Sequence, residues 1–134
     1  MEGGVRLNHD EALEIKSGRK MPKDEAAVIA KIDAFNDPFR SLGRRLHEVI
    51  LSVEPVLNPR VWYGMPGYAV SPNTPVLLFF RNDGDRMTLG MTEKVRVAAE
   101  PDSNHQLMPC AWFFRELDPP TEEVIRGIVR RALD

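Results

Sequence analysis

The side chains best suited to chemistry in this chain are three histidines (His9, His47 and His105), one cysteine (Cys110) and scattered carboxylates. A transition-metal site would need histidine and cysteine at short fixed spacings, and neither His-Glu-x-x-His nor Cys-x-x-Cys occurs. His47 and Glu48 are adjacent, so on a helix they point to different sides. His47 is expected to be a polar residue flanking an apolar stripe. Iron held by carboxylates would need several oxygens on one surface. Asp24 and Asp33 fall about half a turn out of phase on a helix, with Lys23 and Lys31 nearby, so no acidic ridge forms. A nucleophilic site would pair Cys110 with His105. Cys110 follows Pro109 in an apolar stretch, however, where a thiol is ordinarily inert packing. No Gly-x-Ser-x-Gly, phosphate loop or dinucleotide fingerprint is present. No catalytic residue, metal ligand or cofactor is therefore assigned, and a small enzyme with a site near Cys110 and His105 stands as an alternative.

Charge narrows the partners. The formal net charge is −2, which gives no electrostatic case for nucleic acid or an anionic membrane. Two arginine clusters, Arg40, Arg44 and Arg45 and then Arg126, Arg130 and Arg131, are expected as solvated helix faces and dipole partners. Neither a nucleic-acid nor a membrane partner is expected. No apolar run reaches bilayer length, and no apolar signal core lies before Lys23, which leaves a cytoplasmic protein. One cysteine excludes an intramolecular disulfide. A chain of 134 residues has the size of one domain. It divides into a flexible N-terminal segment over 1–22 and a single domain over 23–134.

Apolar periodicity supplies the elements. Val28, Ile29, Ile32 and Phe35 recur at helical spacing in a helix from Pro22 to Phe35. Asp37 and Pro38 open a second helix, in which Phe39, Leu42, Leu46, Val49, Ile50 and Val53 share one face. Pro55 and Pro59 end it. Strands follow at Arg60 to Tyr63 and Tyr68 to Val70, around a bend from Gly64 to Gly67. Val76 to Arg81 and Arg86 to Met91 form a hairpin. Thr92 to Glu100 fits either a short capped helix or an irregular strand, and Pro101 to Met108 reads as loop. Cys110 to Arg115 is a last strand, and Thr121 to Leu133 a last helix. This is an α+β fold: an antiparallel sheet of about five strands with two N-terminal helices and one C-terminal helix.

With Asp83-Gly84 as a two-residue loop, Phe80 faces Met87, Leu78 faces Leu89 and Val76 faces Met91 on a core side. Phe79 and Leu77 then stand opposite Thr88 and Gly90, leaving a shallow apolar trough on the other side. Arg81 faces Arg86 at its end, an unfavourable like-charge pair. A sheet greasy on both sides must cover the second one.

The run Tyr63-Gly64-Met65-Pro66-Gly67-Tyr68 resembles the Tyr-Gly-Met-Pro signature of the YdhG-like family, a domain of unknown function. Val53-Glu54-Pro55 before it, the strand Val76 to Phe80, the return Met87 to Gly90 and the stretch Phe113 to Leu133 follow the same pattern. The likeness spans roughly Glu25 to Leu133. It implies a small α+β fold with an antiparallel sheet, and for some members a frataxin-like iron-chaperone role. It supplies no catalytic residues. The family's Gly/Lys-rich stretch before the last strand is missing, since Pro101 to Pro109 holds neither residue type.

The expected function is a non-enzymatic binding or dimerisation module that uses the second sheet face. Its surface would comprise Trp62, Tyr63, Tyr68, Leu77, Phe79, Arg81 and Arg86. The occupant would be a second copy or a small apolar ligand. A frataxin-like iron chaperone is the alternative that the resemblance implies.

Overall fold

The computed structural model describes residues 23–96, 98–99 and 102–134. The expected N-terminal segment, 1–22, and its short helical turn lie outside the described residues. In chain order come helices α1 (Lys23–Asp33) and α2 (Phe39–Leu51), then strands β1 (Asn58–Trp62), β2 (Met65–Ala69), β3 (Val76–Asp83), β4 (Arg86–Met91) and β5 (Ala111–Phe114), and helix α3 (Pro119–Ala132). The strands form one antiparallel sheet in the order β1-β2-β3-β4-β5. The expected α+β architecture is the observed one. The described part of Thr92 to Met108 contains neither helix nor strand.

The three described helices cover the same side. Val28 and Ile32 of α1, Leu46 and Ile50 of α2, and Ile128 and Val129 of α3 join Leu78, Phe80, Met87 and Leu89 in one buried core. Helix ends follow local chemistry. Asp118 caps α3 by accepting from the Thr121 N–H at 3.1 Å, and Pro119 opens its first turn, ahead of the expected start at Thr121. Asp37 does not cap α2. Pro38 holds that position without a side-chain bond, and Asp37 instead lies 3.6 Å from Arg40. Two arginines expected to be solvated tie the helices together. Arg44 grips Asp33 of α1 at 2.8 and 2.6 Å, and Arg45 grips Glu122 of α3 at 2.7 and 2.8 Å. Such two-pronged contacts suit the planar guanidinium fork.

The β3–β4 register differs from the expected one. Phe80 pairs with Leu89, Leu78 with Met91 and Asp83 with Arg86, so the loop is Gly84-Asp85. Gly84 sits at φ +60° and Asp85 has no positive φ, the arrangement of a hairpin turn that wants glycine first. Asp83 is kept in the strand by its carboxylate, which accepts from Arg81 Nε at 2.7 Å and Thr88 Oγ1 at 2.8 Å. Partners move by two residues, so each of Leu78, Phe80, Met87 and Leu89 keeps its core-facing side. A bulge at Tyr68/Ala69 changes the strand's other end. Ala69 pairs with Val76 rather than Leu77, and Leu77 joins the helix-covered core.

Candidate binding surface

The sheet face that none of the described helices covers, hereafter the helix-free face, is built outward from the β1–β2 turn. Trp62 pairs with Met65, leaving Tyr63-Gly64 as a two-residue loop with both φ angles positive, 50° and 76°. That turn type matches the twist of its strands but favours asparagine or glycine at its first position. A tyrosine there is strained. Its ring is 84% exposed and stands edge-on to Trp62, with centroids 4.7 Å apart. Trp62 in turn meets Phe79 of β3 at 5.3 Å.

Small residues make this contact possible. Phe79 pairs with Gly67 on one side and Gly90 on the other. A Cβ on Gly67 would stand 2.8 Å from Trp62 Cβ, and one on Gly90 would stand 2.5 Å from Phe79 Cζ. The Phe79 ring therefore lies across Gly90. Gly90 pairs onward with Ala111 of β5, and Thr88 with Phe113. Phe113 is 62% exposed, and the Arg86 guanidinium lies 4.3 Å from its ring centre, within cation–π range. An aromatic band thus runs from the Tyr63 tip across β1 and β3 to β5, and no described helix covers it.

Of the expected surface residues, Trp62, Tyr63 and Phe79 come together. Arg81 and Arg86 share their face but are not opposite each other. Arg81 pairs with Thr88, and Arg86 with Asp83. The like-charge clash disappears because Asp83 has moved into the strand between them. Leu77 is displaced into the core by the bulge. Tyr68 is also lost from the surface, since it is fully buried and its ring stacks on Phe80 at 6.0 Å. The expected empty trough is filled by Phe79's own ring. Phe113 was not among the expected surface residues, although its alternation with Trp112 and Phe114 placed it on this side.

Tyr68 belongs instead to a polar strut beneath the sheet. His47 Nδ1 lies 2.7 Å from the Tyr68 hydroxyl, and His47 Nε2 lies 2.9 Å from Glu25 Oε2. With Glu25 ionised and the imidazole neutral, Nε2 donates to the carboxylate and the Tyr68 hydroxyl donates to Nδ1. Burial, and after it the Glu25 charge, pushes the Tyr68 phenol well above its ordinary value. All three residues are at most 5% exposed, so the trio binds α1, α2 and β2 together out of a ligand's reach. The sequence carried a signal for it. Glu25 shares the stripe of Val28, Ile29 and Ile32, and His47 that of Gly43, Leu46 and Ile50, each at the spacing of one buried helix face.

Elsewhere the chemistry is sparse. Cys110 is exposed rather than packed, because β5 begins after it. His105 Nδ1 accepts from the Leu107 N–H at 3.1 Å, and no hydrogen bond joins it to Cys110 among the described residues. Among those residues no group of three or more His, Cys, Asp or Glu is placed to hold a metal ion. None of the described helices is long and apolar enough to cross a membrane. Comparison with protein-family models, curated proteins and solved structures finds no match for the chain.

Proposed function

We propose that this chain is a non-enzymatic binding module of YdhG-like type whose working surface is the helix-free sheet face. The observation that carries the reading is the aromatic band Tyr63–Trp62–Phe79, continued by Phe113 under Arg86. Tyr63 and Phe113 are exposed, and exposed aromatic side chains suit contact sites. The strained tyrosine at its tip supports the same reading, because strain tends to collect where function needs a particular shape. The buried trio Glu25–His47–Tyr68 is sealed, which favours binding over catalysis.

The test is amide NMR during titration with a library of aromatic and aliphatic fragments. Shift changes should cluster on the outward residues Phe79, Thr88, Gly90 and Phe113 and spare Leu78 and Leu89. Changes centred on Cys110 and His105, or no changes on the outward row, would overturn the proposal.

A further inference from the structure

We propose that the helix-free face binds single-stranded nucleic acid, with bases stacked on Trp62, Phe79 and Phe113 and the phosphate backbone following Arg60, Arg81 and Arg86. This rests on the reading of that face as the working surface and adds the class of ligand. Two observations carry it together: how charge is distributed, and what lies between the rings.

The whole chain has 18 Lys and Arg against 20 Asp and Glu, so its total charge hides any local excess. The registers separate the two sides. Arg60 lies in a row with Gly67, Phe79, Gly90 and Ala111. Arg81 lies in a row with Thr88 and Phe113, and Arg86 with Asp83. The outward strand positions thus carry three arginines and a single acid, Asp83. Arg60 donates to the neutral carbonyls of Pro72 and Thr74 at 2.9 and 2.7 Å, which orient its guanidinium without cancelling the charge. Arg81 is the one paired with Asp83, at 2.7 Å.

The rings lie on alternate strands, β1, β3 and β5. At about 4.8 Å per strand the band is roughly 19 Å across, enough for several consecutive bases. Gly67, Thr88 and Gly90 fill the positions around Phe79, while Met65 stands beside Trp62 and Arg86 lies against the Phe113 ring, so a base reaches Phe79 past small side chains and shares Phe113 with the Arg86 guanidinium. Stacking platforms with flanking arginines are the usual means of holding unpaired bases. Other occupants fit less well. A second copy laid face to face would bring arginine against arginine. A small apolar ligand has no use for the charges, and an acidic peptide has none for a row of flat rings.

The test uses fluorescein-labelled oligothymidylate and oligouridylate of about a dozen nucleotides, within the span such platforms occupy. Anisotropy is read over a range of salt concentrations. The controls are a duplex of the same length, a mononucleotide and heparin. Single strands should bind at least about ten-fold more tightly than the duplex or heparin, because stacking needs exposed bases. Phe113→Ala should weaken binding about 5- to 100-fold. Arg86→Gln should also weaken it and make the slope of log K against log salt shallower by about 0.7. Both residues are on the sheet surface, and circular dichroism verifies the fold; if one variant fails to fold, the other decides. Equal binding of heparin or duplex, a mononucleotide as tight as the oligomer, or an unaffected Phe113→Ala would overturn the proposal. If the oligomers do not bind but fragments still shift the outward amides, nucleic acid is refuted and the binding face stands. If both fail, both readings fall.

Discussion

Raising the pH should reveal the buried Tyr68 strut as a single missing ionisation. Desolvation, and secondarily the Glu25 charge, holds the Tyr68 phenol well above its ordinary value. In the unfolded chain a tyrosine titrates at about pH 10. Above that pH the folded protein keeps a proton that the unfolded chain releases. The group's stabilisation is therefore complete below about pH 10 and is lost as pH rises, by about 1.4 kcal/mol per pH unit, until the folded phenol itself ionises. Tyr68→Phe keeps the ring against Phe80 but leaves His47 Nδ1 buried without its donor, which costs about 1–3 kcal/mol near neutrality. Phenylalanine has no proton to lose, so that deficit should shrink above pH 10 and vanish at about pH 11 to 12. The chain has two tyrosines, so a Tyr63→Phe background leaves Tyr68 as the sole chromophore of its kind. Urea unfolding of this protein, with and without Tyr68→Phe, measures the gap. Tyrosinate absorbance alongside circular dichroism shows when ionisation occurs. Tyrosinate appearing before the fold is lost, or two stability curves that stay parallel across pH 10, would refute the reasoning.

Three further outcomes follow from the geometry. Tyr63→Asn should raise stability by about 1 kcal/mol in chemical unfolding, since asparagine tolerates the left-handed turn position better; no gain would mean that the turn is not strained. Gly90→Ala should destabilise by about 1–3 kcal/mol by driving a methyl into the Phe79 ring, and Phe79→Leu in the same chain should recover part of the loss; additive losses in unfolding experiments would contradict the close approach. Hydrogen bonding from Arg45 holds the Glu122 carboxyl below the usual carboxylate range, so Arg45→Met should move its titration upward in side-chain NMR, and an unchanged midpoint would deny the α2–α3 clamp.

Face assignment was more legible in the sequence than register. Strand side chains alternate with period two, so a pairing error of two residues leaves Phe80, Leu78, Met87 and Leu89 pointing to the core. Register depends on the turn. Asp83-Gly84 and Gly84-Asp85 are both acceptable two-residue loops by residue type. The choice falls to Asp83, whose carboxylate satisfies Arg81 and Thr88 only when it lies in the strand. The bulge that moves Leu77 inward leaves no mark of its own in a run of apolar residues from Val76 to Phe80. Tyr68 was misplaced because a tyrosine beside a glycine-rich bend fits a surface as well as a core, until His47 supplies a buried acceptor. That acceptor could have been anticipated from Glu25 and His47, each standing in an apolar helical stripe where an unpaired polar group would be costly.

The two sides of the sheet make different concessions. On the helix side every polar group in the strut has a partner, and the core residues are large and sealed. On the other side, a single row holds Gly67, Phe79, Gly90 and Ala111, although glycine weakens a strand and offers nothing to pack. A tyrosine at φ 50° occupies the adjoining turn, where asparagine would be less strained. The turn tyrosine is strained, and the glycines, weak strand formers, are required by the close approach of Trp62 and Phe79. Together they let Phe79 lie across Gly90 and against Trp62, with Tyr63 and Phe113 exposed. The same face collects three arginines from a chain with a slight excess of acid. With Phe79 replaced as well, valine or threonine at Gly90 would bring a higher strand propensity. An aromatic, positively charged surface would not survive those replacements, so the residue choices on this side are better explained by contact with a partner than by the fold.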